Sequence, residues 1–404
     1  MFKKFTAFFL IFFSIFIPNY DSVFAQYAVT NEYDYNFTDP KALETNASIK
    51  SSNKLSVSAQ SAILMDASNK VVIFKKNENQ EKPIASTTKI MTALLTVEEV
   101  QKNNRIIKIT DKMVPVEGSS MYLKEGDELP LLSLAKGMLT VSGNDAAQSA
   151  AIAISGSIPK FAKLMNKKAK EIGMKNTHFV TPSGLDDTDE EGDHHSTAYD
   201  MALLGIHAIN NKSFLEICSK KICEVPFTVP DIVKKMPNSN RLLRDYKDCF
   251  GIKTGFTKIA GRCLVSGAER NGVKLVAVTL NDKNDWNDHK KMLNYGFDKI
   301  ESINLEKIKP FKVAVVGSET KEITVLQNDL PSVNLEKGKS DLVVHEIELD
   351  NFLYAPIKKF QVVGKIKYKL AGEVILCQEL FAENEAKLIE SGFLGKYFGW
   401  IFNR

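Results

Sequence analysis

The sequence predicts an α/β (α+β) fold class: an antiparallel sheet with helices over residues 55–300, then a smaller all-β domain over 302–380. Three observations predict it. Hairpin patterns lie near both ends of the first region. A stretch of helical apolar spacing separates them. Beyond about residue 302 the chain reads as short strands divided by turn residues.

Bulk composition narrows the function classes. At 404 residues the chain has room for two or three domains. Hydrophobic and charged fractions of 44% and 25% are ordinary for globular protein. A net charge of +4 on 53 basic and 49 acidic residues is too balanced to imply nucleic acid. The five cysteines (Cys218, Cys223, Cys249, Cys263, Cys377) show no metal-ligand spacing and read as free thiols. The His194-His195 doublet sits in an acidic loop and is only a weak metal signal. Neither a metal nor an organic cofactor is expected.

Residues 1–25 have the pattern of a secretory signal. Lys3 and Lys4 give a positive start, residues 5–17 are apolar apart from Thr6 and Ser14, and Pro18 ends the run. Val23 and Ala25 are small residues suited to cleavage after Ala25. The run is short for a membrane span, so the chain is expected to be exported, with its chemistry outside the cytoplasm. Residues 26–54 are polar and aperiodic, a flexible lead-in.

Two apolar runs, 61–66 and 71–74, flank a turn containing Asn69 and predict a hairpin. It leads into Pro83-Ile84-Ala85-Ser86-Thr87-Thr88-Lys89. Pro83 marks a helix start, and Ile90, Met91, Ala93, Leu94, Leu95 and Val97 make the helix apolar on nearly every face. Residues three apart share a helix face, so Ser86 and Lys89 can meet. A lysine amine deprived of water can activate a serine hydroxyl without histidine, which makes Ser86 a candidate nucleophile. The same spacing occurs at Ser51/Lys54, Ser133/Lys136, Ser157/Lys160 and Ser318/Lys321, in polar or mixed surroundings.

Helical patterns follow over 131–139, 145–154, 161–172 and 196–208. Between the first two, Gly143 breaks the helix and sets Ser142 and Asn144 side by side; alone, that pair also suits a helix cap. Strands are expected around Lys253-Thr254-Gly255 and over 262–268 and 273–280, the last two joined by an Asn271-Gly272 turn. Gly255 permits close approach of another backbone. The β domain takes strands at 313–316, 322–326, 342–349 and 361–370. Residues 381–404 can be written as an amphipathic helix with an aromatic end, which either lies at a membrane interface or packs on the β domain.

Ser86-x-x-Lys89, Ser142-x-Asn144 and Lys253-Thr254-Gly255 occur in that order and match the three motifs of penicillin-recognising serine enzymes. Thr181-Pro182-Ser183-Gly184-Leu185, His195-Ser196-Thr197-Ala198-Tyr199-Asp200-Met201-Ala202 and Asn238-Ser239-Asn240-Arg241-Leu242-Leu243 resemble the low-molecular-mass D-Ala-D-Ala carboxypeptidases. Trp286-Asn287-Asp288-His289 and Met292-Leu293-Asn294-Tyr295-Gly296-Phe297 are similar to the version in spore-forming Gram-positive bacteria. The resemblance covers about residues 58–300, and the β tail fits the family's second domain. It implies a β-lactamase/transpeptidase-like fold. Phe256 stands where many members carry a histidine, and an arginine that some members carry near Trp286 is absent.

The resemblance also implies a serine-type D-Ala-D-Ala carboxypeptidase acting on peptidoglycan peptide stems, with β-lactam antibiotics as covalent inhibitors. Its catalytic residues would be Ser86, Lys89 and Ser142. Asn144, Lys253, Thr254, Gly255 and Phe256 would bind substrate, with the Ser86 and Phe256 N–H groups as an oxyanion hole. Three alternatives share parts of this pattern: a serine β-lactamase, a DD-endopeptidase or transpeptidase on the same fold, and an inactive wall-binding or antibiotic-sensing module. No Glu-x-x-Leu-Asn pattern supplies the carboxylate base of a β-lactamase.

Overall fold

The computed structural model describes residues 55–389. The expected signal segment, the lead-in and residues 390–404 lie outside the described residues.

The first region is built on one antiparallel sheet. Its strands are β1 (Ser61–Asp66), β2 (Val72–Lys76), β3 (Cys249–Thr257), β4 (Gly261–Arg270) and β5 (Val273–Leu280). Their order is β2-β1-β5-β4-β3. Both predicted hairpins are present, and they join through β1 and β5, with Ile63 opposite Val278. The Asn271-Gly272 turn has φ of 50° and 80°, the left-handed pair that a tight right-twisting hairpin needs.

Successive side chains alternate across this sheet. Ile63, Met65, Val276 and Val278 face the larger core, shared with most of the helices. Ala62, Leu64, Leu275 and Ala277 face a second core, shared with Met292, Leu293 and Phe297. Burial on both faces explains why β1 reads as a continuous apolar run rather than an alternating one.

The helices between the hairpins are α1 (Lys89–Lys102), α2 (Leu131–Thr140), α3 (Asn144–Ser155), α4 (Ile158–Ile172), α5 (Ala198–Ile209) and α6 (Lys212–Ser219); α7 (Asp285–Lys299) packs on the opposite face of the sheet. Residues 89–97 of α1 are all buried, as its all-round apolar sequence predicts. None of the helices among the described residues is long and apolar enough to cross a membrane.

The second region carries β6 (Phe311–Val316), β7 (Glu322–Gln327), β8 (Val343–Leu349), β9 (Phe352–Tyr354), β10 (Val362–Leu370) and β11 (Glu373–Ala382). They form one sheet in the order β8-β10-β11-β7-β6-β9. Residues Val333–Glu336 pair instead with Ile300–Ile303. Asn334 Nδ2 donates to Asp66 Oδ2 at 2.9 Å, tying this segment to the turn after β1.

One expectation is corrected here. No helix begins at 381: Phe381 lies in β11, opposite Leu326 of β7 and Val362 of β10. Bridges between Ile357 and Ala386 and between Ser318 and Leu388 keep the chain extended as far as Leu388. Buried Leu380 and Ala382 alternate with half-buried Phe381, a period-two pattern that outweighs the helical spacing of Phe381 and Leu388.

Candidate active site

Ser86 sits on a short 3-10 turn, Ala85–Thr88, that runs directly into α1. Ala85 has φ of +48°, a left-handed conformation rare outside glycine, so the backbone just before the nucleophile candidate is strained. Ser86 is half-buried; Lys89 is fully buried.

Three oxygens surround the Lys89 amine. Ser86 Oγ lies 2.8 Å away, Asn144 Oδ1 2.6 Å and the backbone carbonyl of Ser183 2.7 Å. The first partner follows from the three-residue spacing. The second confirms that the Ser142–Asn144 loop meets the Ser86 helix. The third was not foreseen, because a backbone carbonyl has no residue-type signature.

Asn144 and Ser142 do not cap α3; its N-cap is Gly143 and no side chain bonds there. Asn144 donates through Nδ2 to the Glu117 carbonyl, which fixes Oδ1 toward Lys89. One amide hydrogen and one lone pair remain for a ligand. Ser142 is buried with φ of +62°, and no hydrogen bond ties its hydroxyl to Ser86 or Lys89 in this structure. Asp145 braces the same corner: its carboxylate accepts from Ser120 Oγ at 2.6 Å and from the N–H groups of Met121 and Leu123, both at 3.0 Å.

The third wall is β3, an edge strand of the sheet. A Cβ on Gly255 would lie 3.0 Å from both Ser86 N and Thr87 N, so glycine lets the strand pack on the Ser86 turn without pushing it aside. Lys253 is buried and donates to the Thr254 carbonyl at 2.7 Å. Thr254 Oγ1 lies 3.3 Å from Ser239 Oγ. Phe256 is exposed at the strand's open end, opposite Arg262 of β4.

The two lysines are electrostatically unequal. Burial, then the neighbouring Lys253, hold the Lys89 amine well below the usual lysine range. Burial pulls Lys253 down to about 7. Two neighbouring buried ammonium groups repel: Lys89 carries both its burial and the Lys253 charge, whereas Lys253 is lowered by burial alone.

Among the other chemistry-bearing residues, the His194 ring meets Thr88, next to Lys89. Both ring nitrogens of His194 are occupied by protein groups. All five cysteines are free, four of them at least partly buried. Burial pushes the Cys263 thiol up to about 12 and the Cys249 thiol up to about 11.

Comparison with known proteins agrees with this geometry. The profile described as D-alanyl-D-alanine carboxypeptidase matches residues 46–284, and that described as Penicillin-binding protein 5, C-terminal domain, matches 305–387. The D-alanyl-D-alanine carboxypeptidase DacF of Bacillus subtilis is 33% identical over 364 residues, covering 85% of this chain and 90% of that protein. DacA of Haemophilus influenzae is 34% identical over 371 residues, covering 85% and 89%. The crystal structure of penicillin binding protein 5 from Haemophilus influenzae superposes with a TM-score of 0.66 at 31% identity, covering 83% of this chain and all of that one. With a family profile spanning more than half its length and relatives above 30% identity over most of it, the chain belongs to the D-alanyl-D-alanine carboxypeptidase family of serine peptidases.

Proposed function

We propose that the cleft between the Ser86 turn, the Ser142–Asn144 loop and β3 removes the terminal D-alanine of peptidoglycan pentapeptide stems through a Ser86 acyl-enzyme. The observation that carries this is the environment of Lys89. A neutral amine has two N–H groups and one lone pair. Asn144 Oδ1 and the Ser183 carbonyl are pure acceptors and take both hydrogens, so the lone pair is left facing Ser86 Oγ at 2.8 Å.

Lys89 removes the Ser86 proton as Oγ attacks the carbonyl of the penultimate D-alanine. The Ser86 and Phe256 backbone N–H groups are suited to receive the developing oxyanion, since Gly255 presses β3 against the Ser86 turn. Ser142, whose hydroxyl both donates and accepts, relays a proton to the leaving amine. The C–N bond breaks and D-alanine departs. Water, deprotonated by Lys89, then hydrolyses the ester and restores Ser86. Protonated Lys253 and Thr254 hold the substrate's terminal carboxylate, and the free edge of the Asn144 amide holds its backbone.

A β-lactam acylates Ser86 by the same attack on its ring amide, but its leaving group stays tethered in the cleft, which slows hydrolysis. Peptidoglycan stems and β-lactams are thus the partners of one site. The pattern of residues 1–25 supports an extracytoplasmic location, and the aromatic sequence of 390–404 supports peripheral membrane contact.

The test is incubation of the protein with a pentapeptide stem and mass analysis of the products. Loss of one D-alanine supports the reading. Transfer of the stem to an amine acceptor, or cleavage of cross-linked dimers in preference to it, would replace it with transpeptidase or endopeptidase action. Rapid turnover of penicillin would replace it with β-lactamase action.

A further inference from the structure

Lys89 depends on a backbone carbonyl, and a loop carbonyl is only as well placed as its loop. Two contacts hold the loop from the Ser183 side. Thr92 Oγ1 donates to the Pro182 carbonyl at 2.6 Å. Gly184, with φ of +81°, packs where a Cβ would come within 1.9 Å of the Ala85 carbonyl oxygen.

On the other side Asn166 pairs with the Phe179 backbone, and between that anchor and Ser183 the loop is held by the His194 ring. His194 Nδ1 accepts from the backbone N–H groups of Val180 at 3.0 Å and Thr181 at 3.2 Å. His194 Nε2 lies 2.8 Å from Thr88 Oγ1. Thr88 directly precedes Lys89, and Thr181 stands two residues before Ser183. With Nδ1 accepting, the proton is on Nε2, which donates to Thr88. A second proton on the ring would face two N–H donors. Burial, the largest cause, pulls its pKa down to about 3. The ring therefore stays neutral and bridges the base's helix to the loop carrying the base's acceptor.

We infer that His194 is a positioning residue for this reaction: by bridging Thr88 to the Val180 and Thr181 N–H groups, it sets the Ser183 carbonyl on Lys89 and so aims the amine's lone pair at Ser86. This rests on the assignment of Ser86 and Lys89 made above. His195 does not share the role, because its Nδ1 bonds the Asp193 carbonyl and its Nε2 faces Glu81. His289 is an internal comparison. It is equally buried, but it is held by Ser266 and Thr279 beneath α7, on the sheet face away from α1.

The test measures acylation of the full chain by a fluorescent penicillin, separating initial binding from the covalent step. His194→Ala is expected to slow the covalent step about tenfold or more, with initial binding unchanged, because small misplacements of catalytic groups are costly. His194→Gln, which keeps an acceptor and a donor, should remain within about threefold of wild type. His289→Ala should acylate as wild type whatever its thermal midpoint. If His194→Ala does not fold, Thr88→Val removes the hydroxyl leg alone and should slow the covalent step severalfold. The inference is overturned if the covalent step is unchanged in the folded variants, if His194→Gln falls as far as His194→Ala, or if His289→Ala slows equally. Labelling of Ser86→Ala would instead remove the site assignment beneath it, and the two failures are read from different proteins.

Discussion

The catalytic region and the C-terminal β domain solve opposite problems. The first buries polar groups: Lys89, Lys253, Asn144, Asp145 and His194 are all nearly inaccessible. All but Lys253, which bonds the adjacent Thr254, are held by partners distant in sequence, as with Lys89 and the Ser183 carbonyl or Thr88 and His194. The β domain buries a small apolar core around Ile323, Val325, Ile366 and Leu380, and leaves its charges outside. Its Lys–Glu pairs, such as Lys367 with Glu348, lie on the surface between neighbouring strands. A buried polar network stores chemistry but tolerates little change; an apolar sheet stores stability and tolerates exchange at its surface. Changes at these buried polar groups should therefore alter rate, and changes in the β domain should alter stability alone.

The largest effect is expected at the base. Lys89→Ala should lower the rate of acylation by penicillin by about 100-fold to 10,000-fold, the usual contribution of a general base. A smaller fall, measured on the folded protein, would shift the base to another group. Gly184→Ala should damage both properties. It forces a side chain into a left-handed residue and onto the Ala85 carbonyl, so the thermal midpoint and the acylation rate should fall together. An acylation rate at the wild-type level would show that this loop does not set the site.

Ile323→Ala separates the regions from the other side. Its side chain is fully buried in the β domain, and removing it should cost that domain about 2–4 kcal/mol. Acylation at a temperature where both regions are folded should not change. A parallel loss of acylation would mean that the two regions are energetically one.

The mildest test is pH. Lys253 is pulled down to about 7, so it loses its proton as pH rises through that value. The kcat/KM for a substrate with a terminal carboxylate should then fall above about pH 7. Stability should move the other way. An unfolded lysine titrates near about 10.4 and holds its proton when the folded Lys253 has lost it, so this group's contribution to stability rises with pH between those values. The depressed Lys89 acts in the same direction. Activity and stability rising together across this range would contradict Lys253 as the carboxylate's cation.

The legibility of the site followed the kind of atom involved. Ser86, Lys89, Asn144 and Lys253 were readable because side-chain chemistry is written in residue type, and Ser86 and Lys89 also share a helix face. The Ser183 carbonyl was not, since any residue supplies a carbonyl and only the fold aims it. His194 was visible only as half of a doublet, a weak metal signal; its partners are backbone N–H groups and Thr88, invisible to spacing. In the fold, the hairpins at β1/β2 and β4/β5 were marked by turn residues between apolar runs. Strand β11 was missed because Phe381 and Leu388 also fit a helical period, and its pairing with β7 and β10 is set by distant residues.

The whole mechanism turns on Ser86 being the group that Lys89 activates. Its most direct test is to react the protein with a penicillin and locate the adduct by peptide mass mapping. One adduct is expected, on the peptide containing Ser86, and none in Ser86→Ala. An adduct on Ser142 or elsewhere, or one that persists in Ser86→Ala, would contradict it.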